Sequence, residues 1–275
     1  MSRFIPLAIL IVANVLVWSY AFPAQELRVS FFDVGQGDAI FITGPTGVQM
    51  LIDGGSNAAV LRELGDAVPF FDRTLDAVVA THPDKDHIGG LSDVVSRYDI
   101  AFYIESGVKS DTSASRALDD LLVQRDVESL TAHRGMRFVL GGGAYADVLF
   151  PDRDVRNLET NTSSVIMKIL YGETTFLLTG DSPSSIEQYL VTLDGQSLQS
   201  DVLKAGHHGS KTSSSEVFVD AVMPRYVVIS RGCDNSYGHP HAEVIEKIQA
   251  IGARLLDTCT DGTITFSSNG AEVSL

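Results

Sequence analysis

The stretch Thr81-His82-Pro83-Asp84-Lys85-Asp86-His87-Ile88-Gly89-Gly90 gathers two imidazoles and two carboxylates within six residues. All four are metal-ligating side chains, and they follow an apolar run, Leu75 to Ala80, that reads as a buried strand. Burying an unpaired carboxylate is costly, so carboxylates packed between histidines at a strand end call for compensating positive charge, which a metal ion supplies. His82 and Asp84 fall in extended chain and Asp86 and His87 at the mouth of a helix carrying Ile88, Leu91, Val94 and Val95. Such spacing lets all four side chains converge, and the chemistry it points to is metal-assisted hydrolysis.

Other chemistry-bearing residues repeat this placement at strand ends. Asp33-Val34-Gly35-Gln36-Gly37-Asp38 makes a tight bend after a strand, and Asp53 closes the strand Val48 to Ile52. For Asp33, Asp38 and Asp53 both turn capping and holding a ligand histidine are open. Asp181 follows the second strand of a hairpin built on Gly172, and the strand Asp201 to Lys204 runs into Gly206-His207-His208-Gly209-Ser210-Lys211. The apolar run entering Lys204 favours an inward side chain over a solvated one. A last cluster, Tyr237-Gly238-His239-Pro240-His241, follows the strand Val227 to Ser230.

The elements that must position these groups belong to a globular chain. At 275 residues, 44% hydrophobic and 20% charged, it can bury a large core. A formal charge of −15 argues against a surface built for broad contact with nucleic-acid phosphates, though a local cationic site remains compatible with it. The run Ile5 to Phe22 carries no charge, follows Arg3, and falls just short of the roughly 20 residues of a helical span; Ser19-Tyr20-Ala21 has small-x-small spacing. A signal peptide or membrane anchor is therefore expected over residues 1–24 and one domain over 27–275. The positive-inside bias places the body outside the cytoplasm, secreted or attached to the cytoplasmic membrane through the N-terminal segment.

Helices are expected at Ala58 to Leu64, ended by Gly65, and at Ser113 to Gln124. Short strands are expected at Ile100 to Glu105 and between Ser129 and Phe150. Cys233 and Cys259 each follow an apolar run, and the intervening Pro240 to Ile251 has helical periodicity, a β-α-β pattern. If its strands are parallel neighbours, both thiols leave the same sheet end, and an exported chain would join them in a disulfide.

Taken together, Asp33 to Ala39, Ile52 to Gly55, Thr81 to Gly90, Leu178 to Asp181, Leu203 to Ser210 and Tyr237 to Pro240 resemble the metallo-β-lactamase fold. More narrowly, they resemble the C-terminal metallo-hydrolase domain of the ComEC competence proteins, from about Leu27 to the end and in the same motif order. The resemblance implies an α/β, four-layer αββα sandwich behind an N-terminal hydrophobic helix, with two divalent metal ions at the strand ends. It puts His82 and Asp84 on the first ion and Asp86 and His87 on the second, with Asp181 bridging and His207 as the last ligand. Asp86 would orient a metal-bridged hydroxide, while Lys204, His208 and Ser210 would stabilise charge on the attacked centre and Lys211 and His239 hold the rest of the substrate. Where the family at large has histidine, this chain has Asp84, and Asn161 to Ser164 supplies no further histidine, so Ser164 is at most a substrate or outer contact. Oxygen-rich ligation leaves zinc and manganese both open and points away from β-lactam hydrolysis.

Three functions follow from the resemblance. The favoured one is an extracytoplasmic phosphodiesterase or nuclease acting on single-stranded DNA or another phosphodiester. The alternatives are a hydrolase of small phosphoesters or envelope esters, and a catalytically weak accessory protein of a DNA-uptake machine.

Overall fold

Alternating apolar side chains build the first half from β1 (Leu27–Phe31), β2 (Ile40–Thr43), β3 (Gln49–Ile52), β4 (Thr74–Ala80), β5 (Asp99–Glu105) and β6 (Glu128–Thr131). The second half adds β7 (Arg137–Gly141), β8 (Ala144–Phe150), β9 (Ile166–Tyr171), β10 (Thr174–Leu178), β11 (Val202–Lys204), β12 (Tyr226–Ile229) and β13 (Arg254–Asp257). The chain ends in β14 (Ile264–Ser268) and β15 (Val273–Ser274). This computed structural model describes residues 26–275; the signal or anchor expected over 1–24 lies outside the described residues.

The strands form two sheets, ordered β15-β14-β1-β2-β3-β4-β5-β6 and β13-β12-β11-β10-β9-β8-β7. Alternate side chains face the partner sheet or an outer helix layer. Val29, Ile42, Met50 and Val79 of the first sheet meet Met167, Ile169, Phe176 and Val202 of the second in a shared core. The helices Ala59–Ala67, Leu91–Arg97 and Ser113–Gln124 bury Val60, Leu64, Val94 and Leu118 against Phe41 and Val78. On the far side, Ser184–Asp194, Glu216–Val222 and Ala242–Ala250 bury Leu190, Phe218, Val244 and Ile248 against Leu177, Leu203 and Val227. The fold is thus the αββα sandwich that the resemblance implies.

Differences from the sequence reading are local. The first helix runs through Gly65 to Ala67, because Leu64 is buried behind it and the Gly65 position opens on free space. It stops at Val68, held extended by the following Pro69. Helices Ser184–Asp194 and Glu216–Val222 have no counterpart among the expectations. The β-α-β unit forms as expected: β12 and β13 pair in parallel with Val227 opposite Leu255, and Cys233 and Cys259 are joined in a disulfide with Cα atoms 5.0 Å apart. Among the described residues no helix is long and apolar enough to cross a membrane.

Candidate metal centre

Loops leaving β1, β3, β4, β10 and β11 bring acidic and imidazole side chains together at one rim of the sandwich. Asp53, just past β3, is fully buried and accepts at both oxygens: Thr81 N–H donates to Oδ1 at 2.8 Å, while the Thr81 hydroxyl and His87 Nδ1 lie 2.7 Å from Oδ2. An ionised carboxylate can only accept, so His87 carries a proton on Nδ1, and Nε2 is the nitrogen a metal ion would take by displacing any proton there. The same logic fixes His208, whose Nδ1 donates to the Ser230 carbonyl at 2.9 Å. His82 is set by the Thr81 and Ser164 hydroxyls, 3.0 and 3.4 Å from its Nδ1.

Among the described residues, the Nε2 atoms of His82, His87 and His208 are buried and have no hydrogen-bond partner. They surround Asp181 Oδ2 at 4.0, 3.2 and 3.3 Å. Asp86 Oδ2 lies 3.3 Å from His208 Nε2 and accepts from the Gln36 amide at 3.5 Å, and the partly exposed Asp84 lies 3.7 Å from His82 Nε2. Asp38 enters through the Gly35 to Gly37 turn and donates its N–H to the Asp86 carbonyl at 3.2 Å. A Cβ on Gly37 would stand 1.8 Å from that carbonyl oxygen, so this approach requires glycine.

Strained backbone marks the same place. Asp53, His207 and His208 adopt left-handed φ values of 59°, 49° and 55°, a conformation that costs non-glycine residues and persists where the surroundings impose it.

Five carboxylates, Asp38, Asp53, Asp84, Asp86 and Asp181, face one ammonium, Lys204. Burial lowers the His82 pKa to about 3, with His87 adding to the effect. For His87 and His208 burial also works against the charge, but Asp181, Asp53, Asp38 and Asp86 outweigh it and hold both well above the ordinary histidine value. Burial opposes ionisation of Asp181 too, yet His208, His87 and Lys204 keep it well below the usual carboxylate range. Such a cluster attracts cations strongly. Its donor atoms fall into ligand groups, among them His82, His87 and Asp181, and Asp86, His87 and His208, each with ligand atoms within 4.8 Å of one another. These two groups share His87, whose single free nitrogen can hold only one ion, while Asp181 also groups with Asp38 and His208, so its carboxylate is the one able to serve a second divalent ion of borderline or hard character.

Several sequence expectations take a different place. Asp33 stands apart from the cluster and caps its own turn, its Oδ1 accepting the Gly35 N–H at 3.2 Å. Lys204 does point inward but is fully buried, 2.5 Å from Asp38 Oδ2 and donating to the Gly180 carbonyl at 2.9 Å, so it does not face a substrate. The His207-His208 pair is ordered the other way: His208 is buried among the carboxylates, whereas His207 Nε2 is 3.8 Å from Asp181 Oδ2 and its side chain is 28% exposed. Ser210 bonds the Thr212 hydroxyl at 3.0 Å, and Thr212 in turn contacts His207 Nδ1 at 3.2 Å. Ser164 lies between His82 and the Asp181 N–H, which donates to its hydroxyl at 3.2 Å. Lys211 is exposed, and the His239 ring packs 5.6 Å from that of His207. Gln36, Thr81, Thr212 and the Ser230 carbonyl were not foreseen; only Thr81, heading the metal motif, and Gln36, held between two glycines, carried a sequence signal.

The fold and this rim define the class: residues 32–232 match the Metallo-beta-lactamase superfamily, and the chain belongs to it, a family of metallo-hydrolase fold. Within it, the chain is similar to ComE operon protein 3 of Bacillus subtilis, 30% identical over 269 residues covering 91% of this chain and 34% of that protein. It is likewise similar to competence protein ComA of Neisseria gonorrhoeae, 32% identical over 266 residues, with 95% and 35% covered. The chain therefore spans about a third of the length of these curated relatives. Among solved structures, the metallo-beta-lactamase fold protein YhfI of Bacillus subtilis aligns over 89% of this chain and all of that one, with a TM-score of 0.57 at 13% identity. Igni18, a metallo hydrolase of Ignicoccus hospitalis, aligns over 88% and 98%, with a TM-score of 0.56 at 18% identity. At these identities the structural likeness is one of fold.

Proposed function

We propose that this chain is a metal-dependent phosphodiesterase that cleaves single-stranded DNA outside the cytoplasm, using two divalent ions, Zn²⁺ or Mn²⁺. The observation that carries the proposal is the set of three buried, unpartnered imidazole nitrogens of His82, His87 and His208 around the Asp181 carboxylate. When bound, such ions supply Lewis acidity and a water of lowered pKa. Asp181, reached from all three imidazoles, is the shared ligand. His208 supplies the nitrogen that the resemblance assigns to His207. Asp84 at the rim gives one position an oxygen where a nitrogen is usual, which favours Mn²⁺ or weak occupancy there.

The remaining residues orient and balance charge. Asp86, steadied by Gln36 and facing His208 Nε2, holds its Oδ2 toward the cluster, where it orients the attacking water. Lys204 neutralises Asp38. DNA as the substrate is supported by similarity to competence proteins over nearly the whole chain, and an oxidising compartment by the Cys233–Cys259 disulfide.

The test offers the purified chain, with Mn²⁺ or Zn²⁺, single-stranded DNA, bis-p-nitrophenyl phosphate and a carboxylic ester. DNA cleavage that vanishes in Asp86→Ala is the expected result. Hydrolysis of the small diester alone would shift the function to small phosphoesters, and hydrolysis of the carboxylic ester alone would overturn the phosphodiesterase reading.

A further inference from the structure

Beside the carboxylate and imidazole cluster, a short ladder of rings leads out to solvent. The His239 ring lies 6.4 Å from that of His208 and 5.6 Å from that of His207. Tyr237 stacks on the outer side of His239, 5.6 Å away with planes 23° apart. His239 is only 9% exposed, and its Nδ1 is buried without a hydrogen-bond partner among the described residues, while Tyr237 is 63% exposed. One face of the tyrosine ring is thus fixed by the protein and the other is open.

The loop presenting that ring is held rigidly. The disulfide ties Cys233 to Cys259. Asn235 donates to the Gly232 and His239 carbonyls at 2.9 and 2.9 Å and accepts the His239 N–H at 2.9 Å. Gly232 N–H in turn donates to Gln36, whose amide also bonds Asp86, at 3.2 Å. A ring fixed in this way loses little conformational freedom when it binds a partner.

We propose that Tyr237 is a stacking platform for a nucleobase of a single-stranded nucleic acid whose phosphodiester lies at the carboxylate and imidazole cluster. The inference rests on the phosphodiesterase reading and adds what recognises the polymer. A formal net charge of −15 argues against a broad basic track for phosphates, which gives contacts that do not depend on charge a larger share of the affinity beyond the cluster. Stacking on an aromatic face is such a contact, and it tolerates every base. Lys211, an exposed cation, is joined through its backbone N–H to His241 Nδ1 at 3.3 Å, and the His241 ring lies 5.1 Å from that of His239.

The experiment uses the full chain with Mn²⁺ and two single strands of equal length, one with bases and 2-aminopurine as a probe, the other abasic. Wild type is expected to quench the probe and prefer the base-bearing strand. Tyr237→Ala should raise KM for that strand roughly ten-fold, with kcat within about two-fold and melting unchanged; Tyr237→Phe should keep the wild-type KM. Equal KM in Tyr237→Ala and wild type, or equal loss in the Ala and Phe variants, would overturn the platform. A wild type that quenches the probe but cleaves neither strand would sink the phosphodiesterase reading and leave the platform standing. Cleavage without quenching would do the reverse.

Discussion

Lys204 Nζ lies 2.5 Å from Asp38 Oδ2, with both side chains almost wholly buried. Burial opposes the ammonium charge, but Asp38 and Asp181 outweigh it and raise the Lys204 pKa. The pair therefore sits beneath the metal centre as a structural counterion. Lys204→Ala leaves the Asp38 charge buried and uncompensated, a loss of about 3–5 kcal/mol in a urea unfolding curve. Adding Asp38→Asn in the same chain should recover part of it; a double variant no better than the single one would show that the pair does not act as described.

The two adjacent histidines should separate by metal affinity. His208 Nε2 is buried at 3.3 Å from both Asp86 and Asp181, whereas His207 is partly exposed at 3.8 Å from Asp181. His208→Ala should weaken Mn²⁺ or Zn²⁺ binding, measured by titration calorimetry, by ten-fold or more, on the order of what loss of a ligand or its support costs. His207→Ala should cost less. The opposite ranking would restore His207 as the ligand.

The disulfide joins residues 26 apart in sequence and fastens the loop that carries Asn235, Tyr237 and His239. A Cys233→Ala/Cys259→Ala chain should lose on the order of 3 kcal/mol by chain-entropy reasoning. Comparing urea midpoints with and without reductant checks this, since only the wild type should respond to the reductant.

His239 gives a pH dependence of definite sign. Burial, reinforced by His207 and His208, lowers its pKa from 6.5 to about 4. The unfolded chain takes up a proton below pH 6.5 that the folded chain refuses until about pH 4, so this contribution to stability is complete above 6.5 and is lost as pH falls through that window. In metal-free protein, His239→Gln should flatten the fall in urea midpoint between pH 7 and pH 5. An NMR titration placing the His239 ring at or above 6.5 would contradict the assignment.

Much of this centre was legible because ligands follow apolar strands, and a strand end is where the buried and polar patterns meet. His82, Asp84, Asp86, His87, Asp53 and Asp181 all stand in that position, and the two-residue alternation of the strands implied the paired sheets. Other features depend on contacts that sequence does not display. Gln36 reaches Gly232 across 196 residues, and His208 is fixed by a backbone carbonyl, a partner that carries no residue identity. The order within His207-His208 follows from two successive left-handed φ values, which composition and periodicity do not reveal. The apolar run into Lys204 showed its direction but not Asp38 as its partner.

Elemental analysis of the purified chain after equilibration with Mn²⁺ or Zn²⁺ tests the central claim most directly. Close to two ions per wild-type chain are expected, with a marked loss in Asp181→Asn, because the Asp181 carboxylate faces all three imidazole Nε2 atoms. A wild-type chain that retains no divalent metal, or an Asp181→Asn chain that retains as much as wild type, would contradict it.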